Sequence, residues 1–238
     1  METLPSPEHR PEYLTEKQVL ESLTHIIETI KQPDQTEIIS IVGGAGSGKT
    51  TFANLLKTEL GSADILGTDN YVIGDRNYRR THLEGGDPTR KYNPARLNEH
   101  ITSIKALATD ESLPVPTYDE ATGYGVDTPA YSKSINKVDF LLVEGDFDFV
   151  ENPDLLIYFD VPDSVRLKNR IERDLVTRGA VDPAEVEESF HLRQKLQHLP
   201  YTAPTKEKAD FIITVHTITQ DDKTTYEYQI VEGTAINE

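Results

Sequence analysis

The sequence predicts an α/β fold, built on a mostly parallel sheet with helices on both faces. Two observations lead to this class. Short apolar runs typical of buried strands occur throughout the chain, and as far as residue 215 they alternate with segments of helical periodicity. Such alternation is typical of parallel βαβ units. With 238 residues, we expect a flexible tail over residues 1–14 and a single domain over residues 15–238.

The first part of that domain is predicted to contain two helices and two strands. Thr15 and Gln18 form a capping box, and apolar residues then recur at helical spacing for about four turns. The β-branched run 37–42 indicates a buried strand. After a glycine-rich loop, a second apolar stripe predicts a helix that ends at Gly61, and residues 63–69 form a short strand.

The middle of the chain is predicted to be an insertion that binds the substrate, over about residues 70–125. Its first part, residues 70–92, is polar and rich in tyrosine, which indicates a loop. Asn93 and Pro94 then start a helix as N-cap and first helical residue. Prolines within residues 113–119 restrict that segment to irregular structure or an edge strand.

The last part is predicted to contribute two buried strands, two helices and a C-terminal hairpin. In chain order these are strands 139–145 and 155–160, helices that begin at Asp163 and Asp182, and hairpin strands 211–219 and 224–231. Arginines on the first of the two helices make it a candidate lid, over about residues 163–182.

The composition excludes several kinds of function. The chain has 41 acidic residues against 24 lysines and arginines, a formal net charge of −17. We therefore expect no nucleic-acid partner and no membrane partner, because both present anionic surfaces that require basic patches. The absence of cysteine excludes disulfides and thiol catalysis. No apolar run approaches the roughly 18 residues of a membrane span, and the start of the chain lacks a signal pattern, so we expect a cytoplasmic protein.

Residues 43–50, GGAGSGKT, match the phosphate-binding pattern G-x-x-x-x-G-K-[ST]. In this pattern backbone N–H groups surround the phosphates, Lys49 reaches the β and γ phosphates, and the Thr50 hydroxyl ligates Mg²⁺. The following helix directs the positive end of its dipole at the same anion. The motif therefore predicts a P-loop NTPase fold with ATP and Mg²⁺ as cofactors. The residues predicted to bind the nucleotide are Gly43, Gly44, Ala45, Gly46, Ser47, Gly48, Lys49, Thr50 and Thr51.

Acidic residues stand at the ends of three predicted strands. Asp69, Glu144 and Asp160 each follow an apolar run, and ligands of parallel sheets bind at the carboxyl ends of the strands. Glu144 suits the Mg²⁺ side of a P-loop enzyme, together with Thr50. Asp69 is the candidate to accept a proton from a substrate hydroxyl, and a second candidate ligand for the metal. Asp160 is interpreted as structural.

Arginines and tyrosines supply the remaining candidates. Arg166, Arg170 and Arg173 share one face of the predicted lid helix, and lid arginines stabilise the charge of a transferring phosphoryl group. A solvated basic stripe is the alternative. The insertion offers tyrosine rings that suit a nucleobase or sugar, and its candidate substrate residues are Tyr71, Tyr92, Tyr118 and Tyr124.

Together these features resemble the uridine kinase and phosphoribulokinase family of P-loop kinases, over about residues 37–215. The resemblance depends on GGAGSGKT (43–50), TDNY (68–71), VEG (143–145), RLKNRIERDLVTRG (166–179) and PTKEKADFII (204–213). It implies transfer of the γ-phosphoryl group of ATP to a hydroxyl of a small molecule. It further implies Asp69 as catalytic base beside the metal, Glu144 at the metal, and Arg170, Arg173 and Arg178 as lid arginines.

The sequence departs from the family pattern where the family binds its substrate. Tyr92-Asn93-Pro94 stands in place of Asp-His-Pro, and Gly123-Tyr124-Gly125 follows Tyr118-Asp119 where the family carries a histidine and an arginine. Ala180 replaces a final lid arginine, and Asp87 is a candidate for the missing acid. Uridine or cytidine is the leading acceptor. The alternative is another small metabolite of the same family, of the sugar phosphate, glycerate or pantothenate type.

The sequence also contains partial matches to the motifs of a different class, the GTPases. Asn136-Lys137-Val138-Asp139 matches the guanine motif N-K-x-D of GTPases, and Asp64-Ile65-Leu66-Gly67 matches D-x-x-G. Both precede the apolar residues of their strands, at the end of the sheet away from the nucleotide, which argues against a GTPase switch. A nucleotide-binding regulator without an acceptor would need neither Asp69 nor the tyrosine-rich insertion. The sequence leaves a homo-oligomer open.

Overall fold

The computed structural model describes residues 13–82, 86–128, 133–177, 182–220 and 223–233. Within them the strands are β1 Glu37–Gly43, β2 Ala63–Gly67, β3 Ser112–Val115, β4 Lys133–Asn136, β5 Phe140–Gly145, β6 Leu155–Asp160, β7 Phe211–Gln220 and β8 Lys223–Glu232. The α-helices are α1 Glu16–Ile30, α2 Lys49–Leu60, α3 Arg76–His82, α4 Pro94–Lys105, α5 Asp163–Thr177 and α6 Pro183–Arg193. No described helix is long and apolar enough to cross a membrane.

The main sheet confirms the predicted fold class. Its six strands lie in the order β2-β5-β1-β6-β7-β8, and all pair in parallel except β8, which runs antiparallel to β7 as the predicted hairpin. β3 and β4 form a separate antiparallel pair. Since β1 lies between two strands that follow it in sequence, the loop after β1 is at a switch point, where α/β proteins bind ligands.

Helices cover both faces of the main sheet. On one face, α1 and α2 pack against β1 residues such as Ile39 and Ile41. On the other, α4 packs against Ile38 and Leu141. Neighbouring residues of a strand point to opposite faces, and every residue of β1 is buried. The unbroken apolar run in the sequence therefore reflects a strand covered on both sides.

The segment predicted as a loop, residues 70–92, instead contains α3 and two short 3₁₀ helices at Thr68–Tyr71 and Pro88–Arg90. No residue of α3 is buried, so the helix has no apolar stripe that periodicity could detect. Arg79 holds it in place by donating hydrogen bonds to the carbonyls of Ile73, Gly74 and Gly123.

Both outer strands of the main sheet have further partners. Leu14, predicted to belong to the tail, donates a backbone hydrogen bond to Tyr228 of β8 at 2.7 Å and accepts one from it at 2.9 Å. The rest of the predicted tail, residues 1–12, lies outside the described residues. At β2, Lys133 donates to the Ile65 carbonyl at 2.7 Å and to Asp64 at 3.0 Å.

Candidate active site

The glycine-rich loop leaves the carboxyl end of β1 and enters α2, as the motif requires. Gly46 and Gly48 have φ values of +85° and +86°, a left-handed conformation that only glycine adopts without strain. The register pairs Val42 with Gly145 and Gly67 with Glu144. The ends of β1, β2 and β5 therefore lie level, and the side chains that follow them converge.

Helix α5 packs directly onto this loop. A Cβ atom at Gly46 would clash with the carbonyl of Arg166, and one at Gly44 would clash with the Arg166 guanidinium. Asn169 donates to the Gly46 carbonyl at 2.9 Å. Arg166 itself is 2% exposed and donates to Asp163 at 2.6 Å and Gln194 at 2.7 Å. Arg166 therefore packs against the glycine-rich loop, as does Arg170, which lies one turn further along the same helix.

Lys49 forms a buried ion pair with Asp146. Its Nζ lies 2.6 Å from Asp146 Oδ1, and the residue is 7% exposed. Burial disfavours the charged lysine, but Asp146 and then Glu144 outweigh it and raise the pKa of Lys49. Burial likewise opposes the charge on Asp146, yet Lys49 holds the pKa of that carboxyl below its usual value. Sequence reasoning missed Asp146, although Asp146 directly follows β5 and stands only two residues after Glu144.

Two further carboxylates, Asp69 and Glu144, complete an acidic group beside Lys49. Burial raises the pKa of Asp69, and repulsion from Asp146 adds to the increase. Burial also raises the pKa of Glu144 against the attraction of Lys49, and Asp69 raises it further. Negative charge at this point therefore exceeds what Lys49 neutralises, which is what a site for a divalent cation requires.

The oxygen atoms present suit Mg²⁺ that arrives with a nucleotide. The Thr50 hydroxyl donates to Glu144 at 3.1 Å, so the two predicted ligands from α2 and β5 are neighbours. No group of three or more acidic or histidine side chains among the described residues is arranged to hold a metal alone. Proteins commonly bind Mg²⁺ through one or two carboxylates together with substrate phosphates and water. The residues present fit that arrangement.

Tyr92 positions Asp69. An antiparallel bridge between Val72 and Tyr92 brings the Tyr92 hydroxyl to Asp69, to which it donates at 3.0 Å. The tyrosine ring packs against Phe147 and Phe149, with centroids 5.5 and 5.3 Å away. Sequence reasoning named Tyr92 as a substrate residue, and the structure shows it as the hydrogen-bond partner of the candidate base.

A cavity of about 1280 Å³ opens in front of these groups. Its wall includes most of the residues predicted to bind nucleotide, namely Ala45, Gly46, Gly48, Lys49, Thr50 and Thr51. The cavity wall does not include Gly43, Gly44 and Ser47. Gly43 is close to Phe159 and Ser47, and Ser47 is 6% exposed. The cavity also contains Asp69, Glu144, Arg170, Arg173, Tyr92 and Tyr118.

The structure does not bring three of the predicted substrate residues to this cavity. Tyr71 is fully buried, and its hydroxyl hydrogen-bonds Nδ1 of His100 at 2.7 Å. Asp87 caps a 3₁₀ helix by accepting from the Thr89 amide at 2.9 Å. Tyr124 is half-buried and lies outside the wall. Residue counts in the insertion cannot separate tyrosines that pack the core from tyrosines that face a ligand.

Two of the three predicted lid arginines line the cavity. Arg170 is 4% exposed and lies at the cavity wall, where burial and the nearby Arg193 lower its pKa to about 10. Arg173 also lines the cavity, and Arg178 lies outside the described residues. Sequence reasoning missed several basic residues of the wall, namely Arg76, Arg79, Arg80, Lys91 and Arg193. Only Arg76, Arg79 and Arg80 could have been noticed in the sequence, because their spacing places them on one face of a helix.

The two guanine-like motifs lie away from this cavity. Asp64 is engaged by Lys57 at 2.7 Å and by Lys133 at 3.0 Å. Asn136 ends β4 in the small sheet, and Asp139 precedes β5, at the end of the strand opposite Glu144. The aspartate of each motif therefore lies at the end of its strand away from the glycine-rich loop.

Comparison with solved structures shows the same fold in other proteins. A putative fructose transport system kinase from Silicibacter sp. TM1040 aligns with a TM-score of 0.57 at 19% identity, over 80% of this chain and 94% of that chain. The D-glycerate 3-kinase of Cryptococcus neoformans aligns with a TM-score of 0.58 at 10% identity, over 83% of this chain and 95% of that chain. The fold and the glycine-rich loop thus define a P-loop NTPase fold.

Sequence comparison gives the family. Residues 38–221 match the Phosphoribulokinase / Uridine kinase family. A uridine kinase of Borrelia duttonii is 32% identical over 184 residues, 74% of this chain and 85% of that protein. One of Staphylococcus epidermidis is 30% identical over 189 residues, 76% of this chain and 88% of that protein. The chain belongs to the phosphoribulokinase and uridine kinase family, and it is an ATP-dependent kinase of small molecules.

Proposed function

We propose that the cavity transfers the γ-phosphoryl group of ATP to a hydroxyl of a small molecule, with Asp69 as the general base. One observation carries the proposal: Asp69 lies near Lys49 at the wall of a cavity that the phosphate loop forms on one side. The volume, about 1280 Å³, exceeds the roughly 300–1,000 Å³ usual for one ligand. It therefore has room for the nucleotide and an acceptor together.

The environment of Asp69 suits a base. Burial and the charge of Asp146 raise the pKa of Asp69, which makes the carboxylate a stronger acceptor of protons, while the Tyr92 hydrogen bond fixes its direction. A carboxylate of raised pKa takes a proton more readily than an aspartate of ordinary pKa. Deprotonation of the acceptor hydroxyl is the chemical contribution that the phosphate loop cannot make.

The other groups act on the phosphates. Lys49, Arg170 and Arg173 bring positive charge to the place where a transferring phosphoryl group spreads negative charge over its oxygens. Thr50 and Glu144 would hold Mg²⁺, with Asp69 close by. When bound, Mg²⁺ neutralises phosphate charge and orients the γ-phosphoryl group.

For the acceptor, two classes have support. The similarity to uridine kinases favours a pyrimidine nucleoside, uridine or cytidine, and Tyr118 offers an aromatic ring at the cavity wall. The second class comprises other hydroxyl-bearing metabolites, which the basic residues of the wall favour.

The test is acceptor-dependent release of ADP. Purified protein is supplied with ATP and Mg²⁺ and with uridine, cytidine, ribose, ribose 5-phosphate, glycerol or D-glycerate. We expect ADP release with at least one acceptor, and its loss in Lys49→Met. Lys168→Ala, which removes an exposed charge from α5, is the matched control. Transfer at a normal rate by folded Lys49→Met, or no release with any acceptor, would refute the proposal.

A further inference from the structure

Arg193, the last residue of α6, lies beside the phosphate loop. It lines the large cavity. It also lines a small adjoining cavity, whose wall contains Gly44 and Ala45 of the loop together with Asp146 and Arg170. Neither the phosphate-loop motif nor the arginine stripe of α5 includes Arg193, so the roles assigned to those residues leave its place at the loop unexplained.

Helix α6 is held in place on both sides of Arg193. Three residues earlier, the ring of Phe190 lies 5.3 Å from the guanidinium carbon of Arg166, and Phe190 is 3% exposed. One residue later, Gln194 accepts from Arg166 at 2.7 Å and donates to Asp163 at 2.9 Å. Residues three apart share a face of a helix. The contacts between α6 and α5 therefore keep Arg193 beside the phosphate loop.

The charge of Arg193 acts on groups from three other elements. Burial raises the pKa of Asp69, which follows β2, and Arg193 opposes that rise. Although burial opposes it, Lys49 and then Arg193 hold the pKa of Asp146, which follows β5, below its usual value. Burial and then Arg193 lower the pKa of Arg170 on α5 to about 10. The Arg193 guanidinium is therefore within electrostatic reach of both the candidate base and the groups beside the phosphates.

Two other cations of the site are already paired with carboxylates. Lys49 binds Asp146 at 2.6 Å, and Arg173 binds Asp174 at 2.9 Å. In the part of the chain that the structure describes, no carboxylate forms an ion pair with Arg193, and its side chain is exposed. Guanidinium groups bind phosphate oxygens through two parallel hydrogen bonds. Arg193 can form them without first giving up a carboxylate partner.

We propose that Arg193 is a further catalytic residue, whose guanidinium binds the phosphoryl group as it passes from ATP to the acceptor. In this step the bond from the γ-phosphorus to the ADP oxygen breaks, a bond to the acceptor oxygen forms, and the hydroxyl proton goes to Asp69. Arg193 stabilises the negative charge that spreads over the transferring oxygens. The inference rests on the proposed function and adds to it a residue from α6.

Arg193→Ala tests the contribution of the guanidinium to transfer. The acceptor is whichever of uridine, cytidine, ribose, ribose 5-phosphate, glycerol and D-glycerate gives the fastest ADP release with the wild type. We expect kcat to fall at least about tenfold and KM for ATP to change less than about threefold, because an interaction made during transfer affects kcat. The melting temperature should not change, since the side chain is exposed.

Lys195→Ala is the matched control. It removes an exposed cation two residues further along the chain, outside both cavity walls, and should retain the wild-type kcat. An unchanged kcat in Arg193→Ala would overturn the inference. If Lys49→Met abolishes ADP release in the same assay, the proposed function stands while the inference fails. No release by the wild type with any acceptor would refute both.

A transition-state analogue gives a second measurement. ADP, Mg²⁺ and aluminium fluoride together imitate the phosphoryl group during transfer, whereas AMP-PNP with Mg²⁺ imitates bound ATP. We expect Arg193→Ala to lower affinity for the aluminium fluoride complex at least about tenfold and affinity for AMP-PNP less than about threefold. Equal losses would show that Arg193 binds the nucleotide before transfer and does not act in the step itself, which would overturn the inference.

Discussion

Lys49 and Asp146 stabilise each other as an ion pair, so their separate roles can be tested by comparing a single variant with a double variant. Lys49→Met is expected to lower kcat by about 10²-fold or more, because phosphate charge loses its buried cation. It should also lower the melting temperature, since Asp146 is left without its partner.

The matched comparison is the double variant Lys49→Met/Asp146→Asn. It removes the unpaired carboxylate, so we expect the melting temperature to recover while kcat stays low. Steady-state ADP release and thermal denaturation measure the two effects. Recovery of activity in the double variant would show that Lys49 acts only through Asp146.

Asp69→Asn should separate activity from stability. We expect kcat to fall by about 10²-fold or more, the usual contribution of a general base. Because the folded pKa of Asp69 lies above its unfolded value, the ionised form destabilises the fold, and stability declines as pH rises from the unfolded pKa through the folded one. At pH 7 the uncharged variant should therefore melt at a higher temperature than the wild type. An equal loss of ATP–Mg²⁺ affinity and of kcat would make Asp69 mainly a metal ligand.

Tyr92→Phe tests the hydrogen bond to the base. The Tyr92 hydroxyl opposes the upward shift of the Asp69 pKa, so its removal should raise that pKa further. Activity requires ionised Asp69, and the acidic limb of the pH profile of kcat should therefore move to higher pH. Tyr78→Phe, on an exposed tyrosine that stacks on His82, is the control. An unmoved acidic limb would mean that another group sets it.

At the scale of elements, the contact between α5 and the phosphate loop explains why glycine is required at Gly46. Gly46→Ala adds a left-handed alanine, which costs about 1–2 kcal/mol, and also a clash with the Arg166 carbonyl. Gly61→Ala also places an alanine at a positive φ, +70°, but with open space around the added carbon. We expect both variants to lose stability, and only Gly46→Ala to lose nucleotide affinity by tenfold or more. Equal nucleotide affinities, measured by AMP-PNP titration, would contradict this account.

The elements of the main sheet and the helices beside it could be predicted because each is encoded by a short local pattern in the sequence. The strands β1, β5 and β6 are continuous apolar runs, and α4 begins with its own N-cap. Helix α3 could not be predicted, because side-chain hydrogen bonds to distant carbonyls hold it and it buries no residue.

The residues of the candidate site likewise fall into those that local sequence patterns specify and those that only folding brings together. The phosphate loop, Asp69 and Glu144 are visible in sequence because short motifs and strand ends specify them. Asp146 and Arg193 lie on separate elements and meet only through folding, so no spacing connects them. Tyr71 and Tyr92 look alike in sequence. Tyr71 is buried in the core and hydrogen-bonds His100, whereas Tyr92 packs against Phe147 and Phe149 at the cavity wall.

At the scale of the whole molecule, the partners of the two outer strands affect how copies of the chain can associate. Exposed backbone along an outer strand invites another chain to add a strand, which leads to aggregation or swapped dimers. Here Leu14 occupies both backbone groups of Tyr228 on β8, and Lys133 places a charge on the Ile65 carbonyl of β2. A strand of another chain could therefore not pair with the sheet at Tyr228 or at the Ile65 carbonyl without displacing Leu14 or Lys133.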